Sequence, residues 1–158
     1  MSDIKNTTNE KPVISRSKPR ARPKSRLAKL RRKAFSLWTK CVKERDNHTC
    51  QLCGARDGEL NANGKPTIIN AHHVIGRRCK ALRFDVRNGL ALCAGCHRFS
   101  PVGPHRGMVV FGEWLRKERP GLTEYLLSHI EDATIETETQ MQLEIDRLKE
   151  ELNAVSQV

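Results

Sequence analysis

The chain has 158 residues, with 29 Lys and Arg against 18 Asp and Glu, a formal net charge of +11 and a pI near 9.8. Hydrophobic residues make up 37% and charged residues 30%, which leaves material for one modest core, and no apolar run approaches the roughly 18 residues that span a bilayer. Without an apolar signal segment at the start we expect a reducing cytoplasm, where cysteines are metal ligands, and a polyanionic partner, nucleic acid above all.

Residues 1–24 are polar, punctuated by proline and increasingly basic. Such a composition cannot bury enough apolar surface to fold alone, so a disordered arm making salt-sensitive phosphate contacts is expected. From Arg26 to Arg45 the residues Leu27, Leu30, Ala34, Leu37, Trp38, Cys41 and Val42 recur at three and four positions. This spacing predicts an amphipathic helix whose other face is basic. Asp46-Asn47-His48 then reads as a turn.

The β-branched stretch Pro66–Val74 and the apolar run Gly89–Cys93 predict two strands of a hairpin, joined by a long basic loop from Ile75 to Asn88. A short helix is expected from His97 until Pro101, Gly103 and Pro104 interrupt it. Residues 108–130 predict helices broken at Pro120-Gly121, with Val109, Phe111, Trp114, Leu115, Leu122, Tyr125, Leu126 and Ile130 covering the core. The acidic stretch 136–155 carries Met141, Ile145, Leu148, Leu152 and Val155 at alternating four and three spacing. Its seam spans barely two heptads and would serve a short coiled-coil homodimer or dock on the protein's own surface.

Two Cys-x-x-Cys pairs, Cys50/Cys53 and Cys93/Cys96, have the knuckle spacing of a tetrahedral structural zinc, because a two-residue gap lets both sulfurs of a pair face one ion. Cys41 and Cys79 have no partner at that spacing and are read as small apolar or free thiols. Cys93-Ala94-Gly95-Cys96-His97 also matches a c-type haem attachment, but haem would need export and leaves Cys50 and Cys53 unexplained. Between the knuckles lie His72-His73, Asn88 and the arginine-rich loop. Adjacent strand residues point to opposite faces, so both histidines reach one site only if the strand is twisted or ends there. Arg77 or Arg78 is expected to clamp a phosphate, for which a guanidinium fork is suited.

The order His72-His73, Asn88, His97, with His97 directly after Cys96 and two knuckles bracketing the set, resembles the HNH endonucleases of the ββα-metal fold. The stretches AHHVIGRR, RFDVRNGLALCAGCHRF and FGEWL look like those of small bacteriophage HNH proteins, over roughly residues 38 to 116. The resemblance implies an α+β fold, a small zinc-bound ββα-metal centre with flanking helices. The nuclease domain would occupy residues 25–116 and a C-terminal helical extension residues 117–158. It implies metal-dependent hydrolysis of DNA, with His73 as general base and His72 and His97 holding a divalent ion, Mg²⁺ first and Mn²⁺, Ni²⁺ or Zn²⁺ as alternatives. Asn88 would fix the loop and the orientation of His73 through backbone hydrogen bonds. Some members add a third ligand one helical turn after the last His; here that position is Pro101, and His105 is the candidate substitute. DNA is the expected partner, with phage packaging or recombination proteins as further candidates. The alternative reading is a non-catalytic zinc module that binds nucleic acid, and a zinc-stabilised protein-interaction module is weaker still.

Overall fold

The computed structural model describes residues 25–156; the basic arm expected over residues 1–24 lies outside them. Helix α1 (Arg26–Arg45) forms where the apolar repeat predicts it. Ser25 caps its first turn, its Oγ accepting from the Ala28 amide at 3.3 Å, and Lys43 and Arg45 stand in the last turn, opposite the negative end of the helix dipole. The stripe Ala34, Trp38, Cys41 and Val42 is buried. After Asp46, Asn47 and His48 adopt φ of 53° and 50°, and two successive left-handed residues turn the chain sharply into the first knuckle.

Strands β1 (Ile69–His73) and β2 (Gly89–Cys93) pair antiparallel, Ile69 facing Cys93 and His73 facing Gly89. β1 starts later than the β-branched run suggests, because Pro66 is taken by an isolated bridge to Leu60. A 3-10 turn, Val86–Asn88, closes the loop between the strands. Helix α2 (Ala94–Arg98) follows β2 without a gap, then come α3 (Met108–Glu118), α4 (Leu122–His129) and α5 (Glu138–Val155). Among the described residues the protein is thus mixed α and β with one two-stranded sheet, and no helix is long and apolar enough to cross a membrane.

The hairpin lies between two apolar clusters. The first joins the α1 stripe to Phe84, Val86 and, from α5, Met141, Ile145 and Leu148. The second joins Cys50, Ile69, Leu90 and Leu92 to Phe111 and Leu115 of α3. Gly89 lets α1 and β2 approach closely: a Cβ there would come within 2.3 Å of Val42 Cγ2 and 2.9 Å of Trp38 Cζ2.

One expectation changes and one choice between alternatives is narrowed. Helix α3 turns Phe111 and Leu115 inward and leaves Val109 exposed with Met108 and Val110, since it packs along one side only and covers residues four apart. The seam of α5 docks on α1 of the same chain, with Cys41 Sγ donating to the Leu148 carbonyl at 3.3 Å, and Arg147 Nη2 donates to the Phe84 carbonyl at 2.9 Å. Residues 136–155 thus take the second of the two roles expected for them, docking on the protein's own surface, and complete the first cluster. The boundary expected between 116 and 117 falls inside α3. Replacing the fully buried Ile145 by alanine should cost about 2–5 kcal/mol of stability, read as a lowered denaturation midpoint. An unmoved midpoint would contradict this packing.

Candidate metal centres and the adjoining basic groove

The first knuckle is fastened to the hairpin before any metal is considered. The Gln51 amide donates to the Ala91 carbonyl at 2.9 Å, and buried Asp46 accepts from the Ala91 amide at 2.8 Å while its two oxygens take Arg45 Nε and Nη2, each at 2.9 Å. Cys93 ends β2 and caps α2, its Sγ accepting from the Cys96 amide at 3.3 Å. The two pairs therefore meet: the sulfurs of Cys50, Cys53, Cys93 and Cys96 all lie within 4.8 Å of one another. Tetrahedral zinc with bonds of about 2.3 Å would set sulfurs about 3.8 Å apart, and Cys53 and Cys93 stand at 3.7 Å. Burial pushes the Cys53 and Cys96 thiols up, so these protons leave most readily when a cation replaces them. The donor set and its spacing fit a structural zinc.

A second cluster gathers on the α3 face of the hairpin. His72 Nδ1 lies 3.0 Å from His97 Nε2, which lies 3.1 Å from His105 Nε2, and Phe111 packs edge-on to His72. One ring nitrogen offers one in-plane hydrogen or one lone pair, so a linear hydrogen bond explains one of these contacts and not both. A cation among three lone pairs explains both, since bonds of about 2.0–2.1 Å place adjacent ligands about 2.9–3.4 Å apart in octahedral or tetrahedral geometry. Burial drives the His72 pKa down to about 3, reinforced by His97 and His105, and burial with His105 lowers that of His97. His72 and His97 are therefore neutral near pH 7, the form that coordinates metal. His105 is exposed, which leaves this cluster open on one side, unlike a closed structural site.

The loop after α2 brings His105 there. Gly103 packs so tightly that a Cβ would stand 1.9 Å from the Cys96 carbonyl oxygen, and its amide donates to the Ser100 carbonyl at 3.0 Å. The Pro-Gly interruption thus folds back on α2 rather than leading away from it.

The pleat sends His73 to the other face, and the histidine doublet does not converge. The His73 ring lies flat on Trp38, with centroids 3.8 Å apart and planes 14° apart, and Phe35 flanks it at 6.0 Å. Its Nε2 is 2.8 Å from the Arg83 carbonyl oxygen. A carbonyl only accepts, so Nε2 carries the hydrogen and Nδ1 keeps the lone pair. Burial lowers the pKa of His73; the bond to the Arg83 carbonyl opposes this, and the charges of Arg77 and Arg83 add to it, with a net downward shift.

Asn88 is fully buried. Its Oδ1 accepts from the Ile75 amide at 2.7 Å, and its Nδ2 donates to the carbonyls of Ile75 and Leu82, each at 2.9 Å. Both ends of the loop that bears the Arg83 carbonyl are thereby pinned. Arg77 and Arg78 are exposed and line a groove with Arg31, Arg32, Phe35, Arg83 and Phe84. Glu136 spans two of these cations, Oε2 to Arg31 Nη2 at 2.8 Å and Oε1 to Arg83 Nη1 at 2.5 Å.

Three participants escaped the sequence reading. Trp38 is recognisable as an apolar helix residue, but nothing in its spacing marks it as the seat of His73. The Arg83 carbonyl is a backbone atom and leaves no signal in residue type. Asp46 was placed in a turn, where a carboxylate normally faces water, and its burial follows from the tertiary contact with β2. Compared with family models, curated proteins and solved structures, the chain finds no match.

Proposed function

We propose that the protein is a metal-dependent endonuclease of the HNH type that hydrolyses DNA phosphodiester bonds. One observation carries this reading: a histidine locked in its Nδ1-basic tautomer by the Arg83 carbonyl is the chain neighbour of His72 in an open three-imidazole cluster. The lone pair left on Nδ1 is what a general base would use. His73 follows His72 directly at the end of β1, so the base and the metal ligands are carried by neighbouring residues on the two faces of one strand.

In this reading His73 takes the proton of the attacking water on Nδ1, and the stack on Trp38 holds the ring in place while the charge forms. Asn88 acts through the loop backbone and touches no substrate. Arg77 and Arg78 hold phosphates flanking the scissile one. His72, His97 and His105 would hold the divalent ion, which when bound supplies positive charge to the phosphoryl oxygens. Three imidazoles suit a transition ion such as Mn²⁺, Ni²⁺ or Zn²⁺ better than Mg²⁺, which prefers oxygen ligands; the preference for Mg²⁺ drawn from a two-histidine site is accordingly revised.

Supercoiled plasmid is the direct test. The wild type should nick it with added Mn²⁺, Ni²⁺ or Zn²⁺ more efficiently than with Mg²⁺. His105→Ala should raise the metal concentration for half-maximal nicking by at least about tenfold, the cost of losing even an outer partner of a metal site. Plasmid left intact under every ion would remove the enzyme and leave a zinc-bound nucleic-acid-binding module.

A further inference from the structure

The groove on the α1 side of His73 combines two features that a surface built only for duplex phosphates does not need. Its rim is cationic: among the described residues Arg32, Arg77 and Arg78 carry no ion pair, whereas Arg31 and Arg83 are joined to Glu136. Its lining is aromatic, with Phe35 and Phe84 between the guanidinium groups. Phe84 is buried, but Phe35 remains 37% exposed. The inner side of Phe35 is anchored, its ring lying 5.7 Å from Trp38 with planes 26° apart and 6.0 Å from His73 with planes 12° apart.

An anchored ring loses little freedom when a ligand covers its free side. A duplex presents phosphates, sugars and base edges, while its base faces are hidden in the stack. An unpaired base offers a face, and stacking on an aromatic ring inside a basic channel is how single strands are held without sequence preference.

We propose that this groove takes single-stranded DNA, with one unpaired nucleobase stacked on Phe35 and the adjoining phosphates on Arg32, Arg77 and Arg78. The assignment rests on the nuclease reading only for why the strand passes His73; the binding itself needs no catalysis. It gives the site a substrate class, DNA that is single-stranded or locally opened beside the scissile phosphate, and it makes Phe35 the residue that selects such DNA.

The test is binding to the full chain with no divalent cation added, so that a failure of catalysis cannot affect it. Fluorescence anisotropy is measured with a short oligothymidylate and with a duplex of equal length. Stacking is followed separately through a single 2-aminopurine in the oligonucleotide, whose emission is quenched when the base stacks. The wild type should bind the single strand more tightly than the duplex and quench the probe. Phe35→Leu, which keeps an apolar contact with Trp38 but removes the ring face, should weaken single-strand binding by about tenfold, abolish the quenching and leave duplex binding unchanged. Phe35→Tyr should retain both. Arg32→Ala should weaken both DNA forms, as loss of a phosphate contact does. Equal binding of the two forms by the wild type, unquenched 2-aminopurine, or a Phe35→Leu variant that binds single strands as tightly as the wild type would each overturn the proposal. Plasmid left uncut beside retained Phe35-dependent binding would overturn only the nuclease reading.

Discussion

His73→Ala should lower DNA cleavage by about 10²- to 10⁴-fold, the range that a positioned general base contributes, with the fold retained. The imidazole it removes is held by three contacts, the Trp38 face, the flanking Phe35 and the Arg83 carbonyl, while β1 stays paired to β2 through its backbone and Asn88 still pins the loop that bears Arg83. The cavity over Trp38 should therefore lower stability modestly, without unfolding the chain, and a thermal melt run beside the assay separates the two effects. The comparison with His105→Ala is informative. Loss of a ligand should be offset in part by raising the metal concentration, whereas loss of the base should not. Cleavage by His73→Ala at the wild-type rate would remove His73 from the mechanism, and rescue of that variant by metal alone would reassign it to metal binding.

The second large effect concerns the tetrathiolate. Cys50→Ala should release one equivalent of zinc and unfold the part of the protein built around the second cluster. The segment from Asn47 to Pro66 contains no helix or strand, only two isolated bridges, and Cys50 is itself a buried member of that cluster. Structural zinc in small domains contributes about 10–16 kcal/mol of apparent binding energy, comparable to the entire stability of about 5–15 kcal/mol expected for a domain. The two tryptophans make the outcome readable by region, because Trp38 belongs to the first cluster and Trp114 packs against the second. With each tryptophan retained singly, chelation or Cys50→Ala should shift the emission of Trp114 toward that of solvated indole before that of Trp38. A Cys50→Ala protein with unchanged metal content and melting temperature would show that the four sulfurs hold nothing. His105→Ala, by contrast, should lose metal from the imidazole cluster and keep its melting transition near that of the wild type.

How much of this could be read in the chain depends on the range of the interaction that decides each feature. Features set by neighbours in sequence were legible. The three-and-four spacing from Leu27 to Val42 specifies α1, the glycine after Pro120 marks the break between α3 and α4, and the two-residue gaps in the knuckles specify the sulfur cluster. The strand period of two also separates His72 from His73, and the structure follows that period rather than the twist that would have brought both into one site. Features set by distant packing were not legible. Which face of α3 turns inward depends on where the hairpin lies, so Val109 and Phe111 were indistinguishable as apolar helix residues. Whether Met141, Ile145 and Leu148 meet another copy or α1 depends on the loop carrying Phe84 and Val86, which completes the cluster between them. Of the candidate site, His72, His97 and Asn88 were placed by motif order and the structure gives each a defined set of contacts. His105, the candidate substitute for a ligand at Pro101, reaches His97 through a loop that folds back on α2 at Gly103, where a Cβ would clash with the Cys96 carbonyl.

The packing of α5 on α1 has a consequence for synthesis. Arg31 and Glu136 meet across 105 positions and Cys41 and Leu148 across 107, so α1 leaves the ribosome well before the helix that covers its apolar stripe. At about 5–20 residues per second that wait is on the order of ten seconds. During it the nascent protein exposes a basic helix with an uncovered apolar side. Because Glu136 closes on Arg31 and Arg83 only as α5 docks, the groove beside His73 takes its final shape last, and a DNA-cutting chain would gain its full competence only after translation has passed α5.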